Sequence, residues 1–240
     1  MWIGNSKFTA IAMLLIFFLG CIGQEEPEIS EEPEISEEPE LDLEKLELQN
    51  LTVESEFKVS GSGTAYAATV SVYDKWDVND IKLGINSDPS IGGFWLRVVK
   101  DGEITDYNLG TADENYHQYK IEYYYSTVKV YIDGDLKKTV SMKFIQPSIS
   151  LHANARAQGD TVSVQFREIR VDATFPDNNE VHFRDYFDDG TIDPKWDVEN
   201  PFWMSVREKD GVLDMSGSAE HDIWGPGGIA TFKPIQALGV

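Results

Sequence analysis

The sequence predicts an all-β protein, an antiparallel sandwich preceded by a short apolar helix and an acidic spacer. Three observations support this prediction. Apolar and polar residues alternate in many short runs from about residue 51 onward, a pattern that is typical of half-buried strands. Turn signals separate these runs at short intervals, and no helical pattern of three turns follows the spacer. Many short strands joined by tight turns indicate a sandwich.

The composition limits the partners of the protein. The 240 residues include 42 Asp and Glu but only 20 Lys and Arg, and the net charge is -22. Binding to nucleic acid or to an anionic lipid surface depends on Lys and Arg, so neither is predicted. The single cysteine, Cys21, excludes an intrachain disulfide, and the folded part must therefore be stabilised by packing.

The N-terminal residues 1–21 are predicted to form a signal peptide. Lys7 precedes an apolar run at residues 8–22, FTAIAMLLIFFLGCI. A membrane-spanning helix needs about 20 apolar residues, so this run is short for one. A positive start, a short apolar run and small residues at its end are the features of a secretory signal. The remainder of the chain is therefore expected on the outer side of a cell membrane.

The end of the apolar run, Phe18-Leu19-Gly20-Cys21, resembles the lipobox of lipoproteins, and especially that of archaeal ones. The resemblance implies that cleavage occurs before Cys21 and that its thiol carries a lipid. The alternative is an uncleaved signal anchor with an incidental cysteine. In both cases the membrane is a partner, reached through the N-terminal lipid or anchor, and the protein is located at the cell surface.

Residues 22–50 are predicted to form a disordered acidic linker. Its six-residue unit, EEPEIS, begins at Glu25 and recurs with small changes up to Asp42. Like charges repel one another, and each proline disfavours a helix at the preceding residue, so the segment should remain extended. An acidic tail that binds a partner is the alternative. At the end of the linker, Asn50-Leu51-Thr52 is a candidate N-glycosylation site at Asn50.

Alternating runs at residues 53–59, 66–72, 81–85 and 94–98 predict strands. Asp-Gly pairs between apolar runs predict two-residue hairpin turns, because both turn positions require residues that tolerate positive φ. Three such pairs occur, at Asp101-Gly102, Asp133-Gly134 and Asp210-Gly211.

The segment from His117 to Gly134 resembles the central hairpin of concanavalin A-like lectin/glucanase domains, a LamG-like jelly roll. The matching motifs are His117-Gln118-Tyr119-Lys120-Ile121 and Tyr131-Ile132-Asp133-Gly134. Residues 162–171, after a Gly159-Asp160 turn, resemble the closing strand of the same family. The resemblance implies a jelly-roll sandwich over residues 51–175, with carbohydrate as the typical ligand class.

Residues 176–240 are predicted to add further β-strands. The segment from Phe183 to Trp196 resembles the opening motif of the same family, which implies that Trp196 packs beneath the opening strands. These strands either complete the first sandwich in a permuted order or begin a truncated second sandwich. The first alternative is favoured, because a truncated sandwich would leave strand edges unpaired.

No catalytic constellation occurs in the sequence, so the protein is predicted not to be an enzyme. Retaining glycosidases need two carboxyl groups about 5 Å apart, and the Glu-x-Asp-x-x-Glu strand of the related glucanases is missing. The four histidines have no metal-binding spacing, and no phosphate-binding glycine loop is present.

Tryptophans are the candidates for carbohydrate binding, because aromatic rings offer apolar contact beside polar groups. Trp76, Trp95, Trp203 and Trp224 are available, and Trp224 shares a glycine-rich loop with His221 and Asp222. The alternative for each tryptophan is packing in the core. The predicted ligand is a glycan or another cell-surface polymer, and the predicted ligand-binding residues are Trp76, Trp95, Trp224, His221 and Asp222.

A structural calcium ion is the one candidate cofactor. Hard cations bind carboxylate oxygens, and four aspartates lie close together in the sequence, namely Asp185, Asp188, Asp189 and Asp193. Aspartate-rich turns without a metal are the alternative. The sequence thus predicts a non-catalytic surface lipoprotein that binds carbohydrate or another surface ligand. The alternatives are a structural or scaffolding module without a small ligand and a degenerate relative of glycoside hydrolases.

Overall fold

The computed structural model describes residues 48–75, 78–176, 179–199, 203–220 and 228–232. All of them belong to the compact unit Leu41–Val240. The predicted signal peptide, Cys21 and the acidic repeats lie outside the described residues. In the described ranges no helix is long and apolar enough to cross a membrane.

Within these ranges the chain forms fifteen strands and no helix. The strands are β1 (Asn50–Ser62), β2 (Tyr66–Lys75), β3 (Asn79–Asn86), β4 (Gly93–Lys100), β5 (Glu103–Gly110), β6 (His117–Tyr124), β7 (Thr127–Ile132), β8 (Asp135–Ser141), β9 (Ser148–Ala155), β10 (Thr161–Thr174), β11 (Glu180–Asp185), β12 (Trp196–Glu199), β13 (Met204–Lys209), β14 (Val212–Ser218) and β15 (Gly228–Phe232).

The strands form two antiparallel sheets. The eight-stranded sheet has the order β13-β14-β10-β1-β6-β7-β8, with β11 also paired to β10. The seven-stranded sheet has the order β12-β15-β9-β2-β3-β4-β5. Alternate residues of both sheets pack into one hydrophobic core, and this confirms the predicted antiparallel jelly-roll sandwich. In the core, Phe57 stacks on Tyr119 with ring centroids 4.0 Å apart and contacts Phe166 at 4.8 Å.

All three predicted Asp-Gly turns are two-residue hairpins. They connect β4 to β5, β7 to β8 and β13 to β14. Both residues of each turn have positive φ, with 53° and 82° at Asp101-Gly102 and 55° and 76° at Asp210-Gly211. This is the backbone twist that joins two antiparallel strands without splaying them.

Strands from residues beyond 176 pair with strands from the earlier part of the chain. β11 and β14 both pair with β10, and β15 pairs with β9. Trp196 is buried and packs at a steep angle against Phe183, with centroids 6.3 Å apart, as expected from its sequence context. Both sheets therefore contain strands from the two parts of the sequence.

The described residues begin at Leu48, within the segment predicted as the acidic linker. Leu48 is only 1% exposed and packs in the core. The Gln49 N–H donates to the Thr174 carbonyl, and β1 begins at Asn50. Residues 48–50 therefore pack with the sandwich, because the Leu48 side chain is apolar, and the linker over the preceding residues stays a prediction.

Candidate functional site

The outer face of the seven-stranded sheet contains a cleft of about 340 Å³. Because side chains alternate along a strand, the residues between the core positions of β2, β3, β4 and β9 point to this face. We call this site the seven-strand cleft. It is lined by Ala67, Ala68, Thr69, Lys82, Asn86, Asp88, Ile91, Trp95, Arg97, His152 and Asn154.

Strand register brings the cleft residues together from distant parts of the chain. Thr69 of β2 lies opposite His152 of β9 on one side and Gly84 of β3 on the other. Gly84 in turn lies opposite Trp95 of β4. A Cβ atom at residue 84 would lie 1.9 Å from the carbonyl oxygen of Ala68. Glycine at this position therefore allows the close approach of β2 and β3 at the cleft.

One wall of the cleft is a fixed group of charged and aromatic side chains. Arg97 binds Asp106 through two hydrogen bonds, of 2.9 Å from Nε and 3.0 Å from Nη2. The guanidinium also lies over the Trp95 ring, 4.9 Å from its centroid, and the Trp95 N–H donates to Asp106 at 2.9 Å. A two-hydrogen-bond arginine–carboxylate pair holds its geometry well. This wall is therefore organised before any ligand binds.

Trp95 is the predicted ligand-binding residue that the described structure places in a cleft. Its side chain is only 5% exposed, and its N–H is already used by Asp106. Trp95 therefore contributes an apolar edge to the cleft wall rather than a fully open stacking surface.

The floor of the cleft contains a lysine beside a neutral histidine. Lys82 Nζ lies 3.1 Å from an oxygen of the fully buried Asp80. Desolvation, together with the positive charge of Lys82, lowers the pKa of His152 to about 3. His152 Nε2 and the Ser150 hydroxyl lie 2.7 Å apart and share a hydrogen bond. His152 is therefore neutral at physiological pH and presents a polar ring without a charge.

Two asparagines, Asn86 of β3 and Asn154 of β9, lie on either side of Ala67 of β2 in the cleft. Asn86 accepts a hydrogen bond from the Asp88 N–H at 2.9 Å. The Oδ1 atom of Asn154 is buried and has no hydrogen-bond partner among the residues that the structure describes. A buried acceptor without a donor costs about 1–3 kcal/mol. Asn154 Oδ1 therefore marks a position at which a donor from outside the protein would be bound favourably.

Among the described residues that line the cleft, Asp88 is the one that carries a carboxylate. Hydrogen bonds from the Ser90 hydroxyl and the Ser90 N–H lower the pKa of Asp88, and Arg156 forms an ion pair with it. Asp88 is therefore ionised at neutral pH. A catalytic acid needs a raised pKa instead, so Asp88 does not have the environment of one.

The other predicted ligand-binding residues, Trp76, His221, Asp222 and Trp224, lie outside the described residues. Trp203 is partly buried and packs against the core. Sequence reasoning missed most of the cleft, including Lys82, Asn86, Arg97 and Asn154. The available signal was the polar half of each alternating strand, which points to the face opposite the core.

The aspartates predicted to bind calcium form local hydrogen bonds. Asp185 accepts from the Phe187 N–H at 2.9 Å and from the Trp196 N–H at 2.9 Å. Asp189 and Asp193 each accept from the N–H two residues later. Asp188 is exposed. In the described ranges no group of three or more potential ligands is close enough to hold a metal ion, and calcium binding stays a prediction.

Comparison with known proteins shows low similarity. No known family description matches the chain, and no curated protein matches it. Among solved structures, CG-16, a homodimeric agglutinin from chicken liver, is 15% identical with a TM-score of 0.35, over 53% of this chain and 95% of that one. A β-1,3-glucanase from Mycobacterium marinum is 13% identical with a TM-score of 0.34, over 76% and 60% of the two chains.

A third solved structure is the CBM40 domain of the Ruminococcus gnavus IT-sialidase bound to α2,3-sialyllactose. It is 12% identical with a TM-score of 0.31, over 80% of this chain and 84% of that one. Similarities this low assign no family and no function. The function is therefore inferred from the geometry of the cleft.

Proposed function

We propose that the protein is a non-catalytic carbohydrate-binding protein and that the seven-strand cleft holds the sugar. The observation that carries this proposal is the buried Asn154 Oδ1, an acceptor without a partner among the described residues. It lies in a cleft that also offers charged donors and apolar contacts. A hydroxyl group of a ligand that reaches this atom from the cleft would satisfy the acceptor, because Asn154 lines the cleft.

A sugar fits the mixture of groups in the cleft better than an apolar or a strongly charged ligand. Lys82 and Arg97 supply donors, while their charges are balanced by Asp80 and Asp106. Ala67, Ile91 and Trp95 offer apolar contact to the C–H groups of a sugar ring. Pockets for small ligands usually measure about 300–1,000 Å³, and this cleft lies at the lower end of that range. We infer a ligand segment of one or two sugar rings.

Binding without catalysis is the favoured form of this function. A glycosidase needs one protonated carboxyl group as the acid and a second carboxylate as the nucleophile or base. Asp88 has a lowered pKa and is held by Arg156, so it would not donate a proton at neutral pH. The cleft therefore supports recognition of a sugar rather than cleavage of a glycosidic bond.

The binding proposal is tested by screening the protein on a glycan array and then measuring affinity by calorimetry. Asn154→Leu should weaken binding of the best glycan at least about tenfold, because a hydroxyl would lose its acceptor. Asn115→Leu is the matched control, since Asn115 is exposed and does not line the cleft. Unchanged binding in Asn154→Leu would refute this cleft as the site. If the unaltered protein binds no glycan, the scaffolding alternative is favoured.

We further propose that a lipid on Cys21 holds the protein at the outer surface of a membrane. The short apolar run that ends in Gly20-Cys21 and the acidic repeats that follow it support this location. Cys21→Ser should release the protein into the medium or block its maturation, as measured by membrane fractionation and mass spectrometry. Membrane retention with normal processing of the variant would contradict lipid attachment.

A further inference from the structure

A second cleft, of about 430 Å³, lies on the outer face of the eight-stranded sheet. We call it the eight-strand cleft. One row of paired residues crosses this face: Arg207 of β13, Asp214 of β14 and Gln165 of β10 line the cleft, and Lys58 of β1 is the next residue of the row beyond it. The cleft is lined by Tyr116, Gln165, Arg167, Arg207, Lys209, Asp210, Gly211, Val212 and Asp214.

Arg167 lies at a β-bulge beside this cleft. Glu56 of β1 pairs with Glu168, but the next residue of β1, Phe57, pairs with Phe166, so Arg167 is the extra residue of β10. Alternation places Arg167 on the same outer face as Gln165, because Val164 and Phe166 are buried, and after the bulge the buried positions resume at Ile169. Bulges are frequent beside binding sites. The guanidinium of Arg167 lies over the ring of Tyr116, 3.4 Å from its centroid. Tyr116 is held in turn by a 3.0 Å hydrogen bond from its hydroxyl to Gln165.

A second cation lies against the same ring. Lys58 Nζ is 4.9 Å from the centroid of Tyr116. Among the described residues Lys58 forms no ion pair, and Arg167 uses only its Nη1 atom, which binds Glu56 at 3.2 Å. Two cations beside one ring repel each other, although each is attracted to the ring. An anionic group placed between them would relieve this repulsion and accept the unused N–H donors.

The other end of the cleft combines cations with carboxylates. Arg207 Nη2 lies 3.1 Å from an oxygen of Asp214, and Lys209 Nζ lies 3.5 Å from Asp210. These carboxylates would repel a densely charged polyanion, but they accept hydrogen bonds from hydroxyl groups. The cleft is therefore suited to a ligand with one oxyanion among several hydroxyls.

We propose that the eight-strand cleft binds an acidic sugar and that the carboxylate of the sugar lies between Lys58 and Arg167. The hydroxyls of the sugar reach Gln165 and Asp214 at the centre of the cleft. The site lies on the face opposite the seven-strand cleft and does not depend on ligand binding there. An acidic sugar is favoured over nucleic acid because the protein carries a net charge of -22, which opposes polyanions.

The test is an NMR titration of the whole protein with galacturonate and with its methyl ester, at constant ionic strength. Galacturonate has one carboxylate among its hydroxyls, and the methyl ester has the same sugar ring without the negative charge. We expect saturable shifts of the backbone amides near Gln165, Arg167 and Gly211 with galacturonate only. Arg167→Gln should weaken this binding about tenfold, because a hydrogen bond to a charged group is lost. Lys58→Gln should do the same, and it breaks no ion pair in the described residues.

Arg184→Gln is the matched control. Arg184 lies on the same sheet, stacks on Tyr186 at 5.6 Å and pairs with Glu168 at 3.2 Å, but it does not line the cleft. Its removal should leave the affinity for galacturonate unchanged. Equal binding of the acid and its methyl ester would overturn the proposal. Inorganic sulfate that binds as tightly as the acidic sugar would also overturn it. Asn154→Leu should not change these shifts, which separates this site from the seven-strand cleft.

Discussion

On the outer face of the seven-stranded sheet several polar side chains are fully buried, whereas the ion pairs on the outer face of the eight-stranded sheet are in contact with solvent. Ser71, Asp80 and Ser150, on the first face, have no exposed surface at all. Arg207, on the second, keeps 56% of its side chain exposed although it pairs with Asp214. The strands of both sheets have the same alternating pattern of apolar and polar residues. The difference shows that alternation separates core from outside and does not set how far an outer residue is shielded from water.

Shielding changes what the same chemical groups do. A buried polar group must be hydrogen-bonded, and it then holds a fixed position. An exposed ion pair contributes only about 0–1 kcal/mol and is weakened by salt. The seven-strand cleft is therefore rigid and charge-balanced. The eight-strand cleft retains cations, such as Lys58, whose charge is available to a ligand. Three predictions test this comparison.

The largest effect is expected from adding a side-chain atom between β2 and β3. Gly84→Ala would bring a Cβ atom to 1.9 Å from the Ala68 carbonyl oxygen and should lower the free energy of unfolding by about 3 kcal/mol. Gly217→Ala is the counterpart in the other sheet, where the Cβ atom would lie 2.2 Å from the Trp203 carbonyl oxygen. Urea unfolding should show both losses, but only Gly84→Ala should weaken glycan binding in the seven-strand cleft. Equal binding by the two variants would contradict this.

The next effect is a dependence of stability on pH. The pKa of His152 is lowered from 6.5 to about 3 in the folded protein, chiefly by desolvation. The unfolded chain therefore takes up a proton first as the pH falls below 6.5. His152 contributes stability above that pH, and about 2 kcal/mol of it is lost between pH 6.5 and 5. His152→Gln should remove this loss in urea unfolding measured at both pH values. The same slope in the variant would refute the assignment to His152.

His117 on the other sheet provides a control of opposite sign. Burial by itself lowers the pKa of His117, but its hydrogen bonds to the carboxylates of Asp133 at 2.7 Å and Asp113 at 2.9 Å outweigh burial and raise it. Its contribution to stability is therefore complete below pH 6.5 and is lost as the pH rises through the raised pKa. His117→Gln should flatten the curve on the alkaline side only.

The smallest effect compares one ion pair from each face. Asp106→Asn weakens the pairing with Arg97 and the hydrogen bond from Trp95, and it should cost about 1.5 kcal/mol of stability. Asp214→Asn weakens only the pairing with Arg207, whose side chain is 56% exposed, and it should cost less than about 0.5 kcal/mol. Thermal unfolding at low and high salt measures both. Similar costs for the two variants would contradict the difference between the faces.

Much of the fold could be predicted from local patterns. The strands followed the alternation, and the Asp-Gly turns formed because those residues tolerate positive φ. One turn had no such signal. β6 and β7 are joined at Tyr125, whose φ is 53°, an uncommon value for a bulky residue. A hydrogen bond of 2.8 Å from its N–H to the Gln49 carbonyl helps to hold it there, and that contact joins residues far apart in the sequence.

The candidate sites were much less predictable. Trp95 was a candidate because aromatic residues often bind sugars, but Asn154 and His152 lie more than 50 residues away from it in the sequence. They meet in one cleft because β9 pairs with β2 and places His152 opposite Thr69. Likewise, the contact of Arg167 with Tyr116 joins distant segments of the chain and is visible only in the folded structure.

Local sequence thus defines the strands, the hairpins and the residues that face the core, because these depend on alternation and on the φ preferences of a few turn residues. Tertiary structure decides which strands are neighbours, because many strands with similar apolar faces can pair in more than one order. It also decides which polar groups lose their water. The neutral His152, the unpartnered Asn154 oxygen and the two cations beside Tyr116 arise only when the sheets assemble.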